Sequence, residues 1–316
     1  MKCARKFIWA DSQDDPPGGP ALESGMDFTL TPHQGTPRVL QTEWVDLRRD
    51  EDSGIESISA HFSGHAYDPH AHDEMLVGVT LQGVQRFRCG RTSHVSTPGK
   101  SILIEPGAIH DGHAPHESGF TYAMLYLPQP WLSAMAGQLQ LPAVSRFASF
   151  DQTLHDDVLL AQAIHRAFLA LHQREGRLAR DEALDRMLVL LARRIRAPAS
   201  EGSAAASPAL QRVRELMHAQ LAEDLSLDDL VACSGLDRFR LTRQFSAAFG
   251  SSPHAYLVQL RLRVARRLLA GGAEPAQVAA DTGFADQSHL GRWFRRAYRI
   301  TPAAYRLACT NVLAGS

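Results

Sequence analysis

Two periodicities divide the chain. Between residues 39 and 127, apolar residues come in short runs: 55–62, 75–81, 85–89, 101–104 and 122–127 read as strands. Turn residues separate them, at Gly64, Gly83, Gly90, Pro98-Gly99, Pro106-Gly107 and Gly119. Many short strands at this spacing predict a double-sheet roll or barrel. Past residue 130 the period becomes helical. Leu154, Val158, Leu159, Ala161, Ile164, Phe168 and Leu171 share one face, and Leu184, Met187, Leu188, Leu191 and Ile195 another, with a break near Gly176. Residues 198–208, PASEGSAAASP, read as a flexible linker bounded by prolines.

The last third carries one unit written twice. LVACSGLDRFRLTRQFSAAFGSSPHAY begins at Leu230, and QVAADTGFADQSHLGRWFRRAYRITPAAY begins at Gln277. Leu241 pairs with Leu290, Phe245 with Phe294, Phe249 with Tyr298, Pro253 with Pro302 and Tyr256 with Tyr305, all at an offset of 49. Such a period marks a duplicated supersecondary unit. Each copy predicts a short helix, a glycine turn (Gly235, Gly283), an aspartate N-cap (Asp237, Asp286) and a second helix. This is the layout of a helix-turn-helix, at about 227–250 and 275–299. The second helices bury one face and leave Arg238, Phe239, Thr242 and Arg243, and then Gln287, Ser288, Gly291 and Arg292, on the other. Arg and Gln read guanine and adenine edges bidentately, while Gly291 offers no side chain. Arg240, Arg295 and Arg296 are candidates for phosphate contacts. The segment 252–270 between the copies predicts one long helix, a strut of about 27 Å at 1.5 Å per residue. Two readers so held can enter successive major grooves, roughly 34 Å apart.

Charge sharpens this reading. Residues 209–306 hold 14 Arg, no Lys and 9 Asp plus Glu, a net of +5 in a chain of net −1. A basic third in an otherwise acidic chain fits a polyanionic partner, double-stranded DNA. Cys3, Cys89, Cys233 and Cys309 lack metal-site spacing, the N-terminus lacks a long apolar signal segment, and no apolar run approaches a membrane span. A cytoplasmic protein without membrane attachment is expected. Residues 1–25, with Asp14, Asp15, Pro16, Pro17, Gly18, Gly19 and Pro20, read as a disordered tail, and Met26 is a second candidate start.

The paired glycine turns, the segment between them and GFADQSHLGRWFRRAYRITPAAYR from Gly283 resemble the DNA-binding domain of the AraC/XylS transcription regulators. PHAHDEMLVGVTLQG from Pro69 and TPGKSILIEPGAIHDG from Thr97 are similar to the cupin-like sensor domain that precedes it in many members. The resemblance implies an α+β multidomain chain: a cupin-like ligand-sensing domain (26–130), a helical dimerisation segment (131–197), the linker (198–208), a DNA-binding domain (209–308) and a short tail (309–316). It implies a homodimer, a small-molecule effector and, for an activator, contact with RNA polymerase. Phe62, Tyr67, His70, His72, Met75, Val77, Phe87, Ile104, His110, Tyr122 and Met124 are candidates to line the sensor pocket.

Cupins place a histidine pair and a third histidine around a metal, and here His70, His72 and His110 stand where those ligands would. Glu74 departs from the pattern, coming two residues after His72 rather than several. Two readings stay open. In one, His70, His72, Glu74 and His110 hold a divalent transition metal. In the other, which the further histidines His65, His94, His113 and His116 on this face favour, they are polar pocket or rim residues without metal, and no cofactor is required. A catalytic role is not expected; the alternative is a metal-dependent cupin enzyme fused to a DNA-binding domain.

Overall fold

The computed structural model describes residues 43–139, 149–196 and 206–310. The expected tail at 1–25 and most of the linker lie outside the described residues. Nine strands open the fold: β1 (Trp44–Arg49), β2 (Glu56–Phe62), β3 (His65–His70), β4 (Met75–Gly83), β5 (Gln85–Cys89), β6 (Thr92–Ser96), β7 (Ser101–Ile104), β8 (His110–His113) and β9 (Phe120–Leu127). Then come α1 (Gln129–Gln138), β10 (Ser149–Phe150), β11 (Leu154–His155), α2 (Val158–His172), α3 (Arg177–Ala192) and β12 (Ile195–Arg196). The helical end comprises α4 (Pro208–Ala219), α5 (Leu227–Ser234), α6 (Arg238–Phe249), α7 (Pro253–Ala270), α8 (Pro275–Asp281), α9 (Gln287–Tyr298) and α10 (Pro302–Thr310).

Ten of these strands form two antiparallel sheets, ordered β1-β2-β9-β4-β7-β11 and β3-β8-β5-β6, and β10 pairs with β12 alone. Phe62, Tyr67, Leu76, Phe87, Ile104, Tyr122, Met124 and Tyr126 fill the space between them. The outer face of the larger sheet, with Met75, Val77, Val79, Leu125 and Leu127, packs on α2 and α3 through Leu160, Ile164, Phe168, Leu184 and Met187. Burying the four large side chains Leu160, Ile164, Phe168 and Leu171 of α2 contributes roughly 1.5–3 kcal/mol each before conformational entropy is charged. Asp157 starts α2 by accepting from the Leu160 N–H. Leu154, expected on the helical stripe, instead pairs with Ile102 in a short strand. The helical spacing there is coincidental, because a two-residue strand is too short to show its own period. Cys309, expected in the C-terminal tail, is instead buried within α10, and residues 311–316 lie outside the described residues.

The two helix-turn-helix copies follow the same local rules. Asp237 and Asp286 accept from the Arg240 and His289 N–H groups at 2.8 and 2.6 Å. Gly235 and Gly283 both sit at left-handed φ, +71° and +73°. Their surroundings differ. A Cβ on Gly235 would meet nothing within 4 Å, whereas one on Gly283 would lie 2.6 Å from the Ala222 carbonyl oxygen. Gly235→Ala should therefore cost about 1 kcal/mol, the left-handed penalty alone, and Gly283→Ala distinctly more. Urea unfolding of the two variants checks the order.

The copies part company in their cores. Leu241 and Phe245 of α6 pack with Leu210, Val213 and Met217 of α4 and with Leu257 and Leu260 of α7 in a core of their own. Leu290, Phe294 and Tyr305 of the second copy, with Val258, Leu262, Ala265 and Leu269 of α7, join the core of the β-roll. The second copy is thus docked on the mouth of the roll, with α9 against β3 and α10 against β1.

Candidate functional site

The interior of the roll holds a small cavity of about 40 Å3, and its lining comes from both ends of the chain. The β-roll contributes Phe62, Tyr67, His70, His72, Leu76, Phe87, Ile104, His110, Tyr122 and Met124. The helical end contributes Arg266, Ala297, Tyr298, Arg299, Ile300 and Tyr305 as a roof. Met75 and Val77, expected in the pocket, face α2 instead, and Leu76 takes the inward place. Side chains alternate along a strand, so a shift of one residue exchanges the faces. In β4 both faces are buried, which removes the polar alternation that would have revealed the parity.

His70, His72 and His110 converge in this cavity, each buried, with potential ligand atoms all within 4.8 Å of one another. β3 ends at His70, so His72 reaches the cavity from the loop just beyond the strand. The Nδ1 atoms of His70 and His110 lie 2.8 and 3.0 Å from the Asp68 and Ala108 carbonyl oxygens. A carbonyl can only accept, so both rings carry the proton on Nδ1 and turn a bare Nε2 lone pair inward. Neither nitrogen of His72 has a hydrogen-bond partner. Burial, then a neighbouring ring (His110 for His70, His70 for His72) and the Arg266 charge, hold His70 and His72 well below the usual imidazole range. Burial lowers His110 as well. Glu74 does not belong to this group: its carboxylate binds Arg266 at 2.7 Å. Two residues of separation place it beyond the ring cluster, pointing to α7.

Arg266 is the residue that sequence reasoning missed. Its side chain, 7% exposed, reaches from α7 to Glu56 at 2.5 Å and Glu74 at 2.7 Å. Tyr305 donates to the other Glu56 oxygen at 2.5 Å. The rings of Tyr126, Tyr298 and Tyr305 stand 4.9–5.7 Å from the guanidinium carbon. A signal existed: Arg266 lies on the α7 stripe of Leu262, Ala265 and Leu269, where periodicity asks for an apolar residue. Around this buried cluster sit partly exposed pairs, Arg296 with Asp68 at 2.6 Å, Arg263 with Asp73 at 3.3 Å and Arg299 with Glu43. Arg299 takes a left-handed φ of +58° where the first copy has Gly250 at +76°. The arginine bears that local cost of about 1 kcal/mol and reaches Glu43 and the Phe62 ring.

The solvent side of the helical end carries the candidate DNA readers. Arg238, Phe239, Arg240 and Arg243 are exposed on α6, and Gln287, Ser288, Arg292, Arg295 and Arg296 on α9, while Thr242 and Gly291 are half-buried. Arg238 forms a two-pronged pair with Asp228, and Arg243 lies over the Phe239 ring at 5.5 Å. Thr242 donates to the Arg238 carbonyl at 2.9 Å, the ordinary fate of a helical threonine hydroxyl.

The model of the AraC-like ligand binding domain matches residues 53–188, and that of a helix-turn-helix domain matches residues 230–308. The chain belongs to the AraC-type transcriptional regulators. It is 25% identical to the uncharacterized HTH-type transcriptional regulator YbfI of Bacillus subtilis, over 79% of this chain and 91% of that one. It is 26% identical to the transcriptional activator NphR of a Rhodococcus species, over 73% of this chain and 69% of NphR. The solved structure of unsaturated fatty acid bound ToxT from Vibrio cholerae shares the fold, at TM-score 0.50 and 11% identity over 87% of this chain and 99% of ToxT. The regulator is accordingly a DNA-binding protein with a ligand-binding N-terminal domain of mixed α and β structure and a helical C-terminal domain. Among the described residues no helix is long and apolar enough to cross a membrane.

Proposed function

We propose that this regulator is an activator whose second helix-turn-helix unit is the lid of its own effector site. The observation that carries the reading is the roof of the cavity, built from α9 and α10. Organic ligands occupy pockets of roughly 300–1,000 Å3. A space of about 40 Å3 takes an organic effector only when the roof lifts. Such an effector binds the undocked arrangement alone and shifts the population toward it. Undocking also frees Arg296 from Asp68 and Arg299 from Glu43, restoring positive charge beside the α9 reader. That gives the effector the sign of an activator.

On DNA, Arg238, Phe239, Thr242 and Arg243 form the first reader, and Gln287, Ser288 and Arg292 the second, with Gly291 giving close approach. Arg240, Arg295 and Arg296 contact phosphates. The regulator acts as a homodimer in the cytoplasm and, as an activator, contacts RNA polymerase. The exposed Val158, Leu159 and Leu178 at the starts of α2 and α3 support pairing with a second copy.

The test is footprinting of the full chain on genomic fragments, with and without metabolites that raise its melting temperature in a thermal-shift screen. Two protected segments one helical turn apart are expected, strengthened by the effector. Protection of a single segment, or an effector that weakens binding, would defeat the proposal.

A further inference from the structure

Docking of the second helix-turn-helix unit brings a cation onto two carboxylates of the roll. We propose that the effector is an organic cation, an ammonium or guanidinium head on an apolar body, and that the Arg266 side chain occupies the effector's charge site in the docked protein. The inference rests on the reading of the roofed cavity as the effector site, and it names the chemical class which that site takes.

The acidic pair belongs to the roll. Glu56 stands opposite Tyr126 across β2 and β9, in step with Ile58, Ala60 and Phe62 on the inward face. Glu74 leads into β4 and reaches the same guanidinium. A carboxylate buried on an apolar face is costly unless a cation meets it. Among the described residues, the side-chain partners of both come from the helical end: Arg266 for each, and Tyr305 for Glu56.

Arg266 travels with the roof, because α7 packs against α8, α9 and α10. Lifting therefore strips the guanidinium from Glu56 and Glu74 and leaves them beside Tyr126 on the roll. Two negative charges next to a ring face make a site for a cation. Arg266 itself shows the fit, with its guanidinium carbon 4.9 Å from the Tyr126 ring and its nitrogens 2.5 and 2.7 Å from the two carboxylates. A ligand cation in that place replaces the lost counter-charge, whereas a ligand anion meets two bare carboxylates. The effector so takes the partners that hold Arg266 down, and its binding and docking exclude one another.

The rest of the cavity asks for the same ligand. Three of its polar atoms are open acceptors. His70 and His110 present bare Nε2 lone pairs, and Gln85 donates its amide N–H to the Tyr67 hydroxyl while its buried Oε1 has no partner. Unmet acceptors call for a ligand rich in N–H groups, and a protonated amine or guanidine carries donors and no acceptor. Phe62, Phe87, Ile104 and Met124 supply an apolar wall for its body.

The experiment titrates the full-length protein by calorimetry with three probes of similar shape: phenethylguanidine, phenethyl alcohol and hydrocinnamate. The guanidine is expected to bind about tenfold tighter than the alcohol, as hydrogen bonds to a charged group allow, and the carboxylate not at all. Arg266→Ala removes the tethered competitor and should tighten the guanidine about tenfold more than it tightens the alcohol. The triple variant Arg266→Met, Glu56→Gln, Glu74→Gln should bind guanidine and alcohol alike. No saturable guanidine binding, equal or tighter binding of alcohol or carboxylate, or a preference that survives in the triple variant would overturn the inference. Equal tightening of guanidine and alcohol in Arg266→Ala would overturn the place of Arg266 as the stand-in. The order of the three probes is read on the parent chain, so it decides even where a variant does not fold. Footprinting with the same probes separates the two proposals. An alcohol or carboxylate that strengthens the two-segment footprint keeps the lid and removes the cation, and a guanidine that binds as expected without strengthening it does the reverse.

Discussion

Arg266→Met is expected to destabilise the full chain by about 3–5 kcal/mol, the usual cost of removing one partner from a buried ion pair. The reason lies in what remains. Glu56 is 6% exposed at its side chain and Glu74 21%, and without the guanidinium Glu56 keeps, among the described residues, the Tyr305 hydroxyl as its side-chain partner. Methionine fills the space among Tyr126, Tyr298 and Tyr305 but gives neither carboxylate a counter-charge. The protein has two ways to relieve the strain, by unfolding or by lifting the second helix-turn-helix unit and admitting water to Glu56. Urea unfolding followed by both far-ultraviolet circular dichroism and tryptophan fluorescence distinguishes them, because lifting separates two transitions that docking merges. Adding Glu56→Gln and Glu74→Gln should recover most of the loss, since well-packed neutral groups often replace a buried ion cluster at little cost. Strictly additive losses across the three substitutions would mean that the cluster is not a coupled unit.

Arg243→Ala and Arg292→Ala should each lose about 1–3 kcal/mol of discrimination between the cognate site and random DNA, roughly 5- to 150-fold. Both arginines are exposed, on the sides of α6 and α9 opposite the buried Leu241 and Phe245 or Leu290 and Phe294. Neither contributes to those cores, so melting temperatures should be unchanged. Arg243 stands over Phe239 in the free protein, a contact of modest worth at an exposed site, so it is available to a guanine edge. Competition binding at fixed salt is the measurement, because phosphate contacts alone shift affinity on all sequences alike. Equal loss on cognate and random DNA would make the two side chains backbone contacts. Arg296 is the contrast. Its pairing with Asp68 predicts a general loss of affinity that appears only once α9 is undocked.

Much of this architecture is legible in the amino-acid sequence. The repeat, its glycine turns and its aspartate caps obey rules that act over a few residues, and the caps and turns stand as those rules require. Strands β5 and β7 match the runs read from the chain, while β1, β3, β6 and β8 carry no such signal. Their sequences (WVDLRR, HAYDPH, TSHVS and HDGH) are short and polar, and pairing rather than propensity makes them strands. The inward-facing set is legible only in part, for a similar reason. Phe62, Tyr67 and Phe87 have polar neighbours or turns beside them, whereas Met75 and Val77 lie in a run apolar on both faces.

By itself the sequence determined the two helix-turn-helix units and some strands of the β-roll, because helix period, caps and turn glycines act between neighbours along the chain. What only the tertiary structure decided is which surface each buried face meets. Arg266 finds Glu56 and Glu74 across 210 and 192 residues, and the second copy shares the core of the roll while the first keeps its own. Periodicity states that a face is covered; the identity of its cover depends on contacts between distant segments, which no local pattern records.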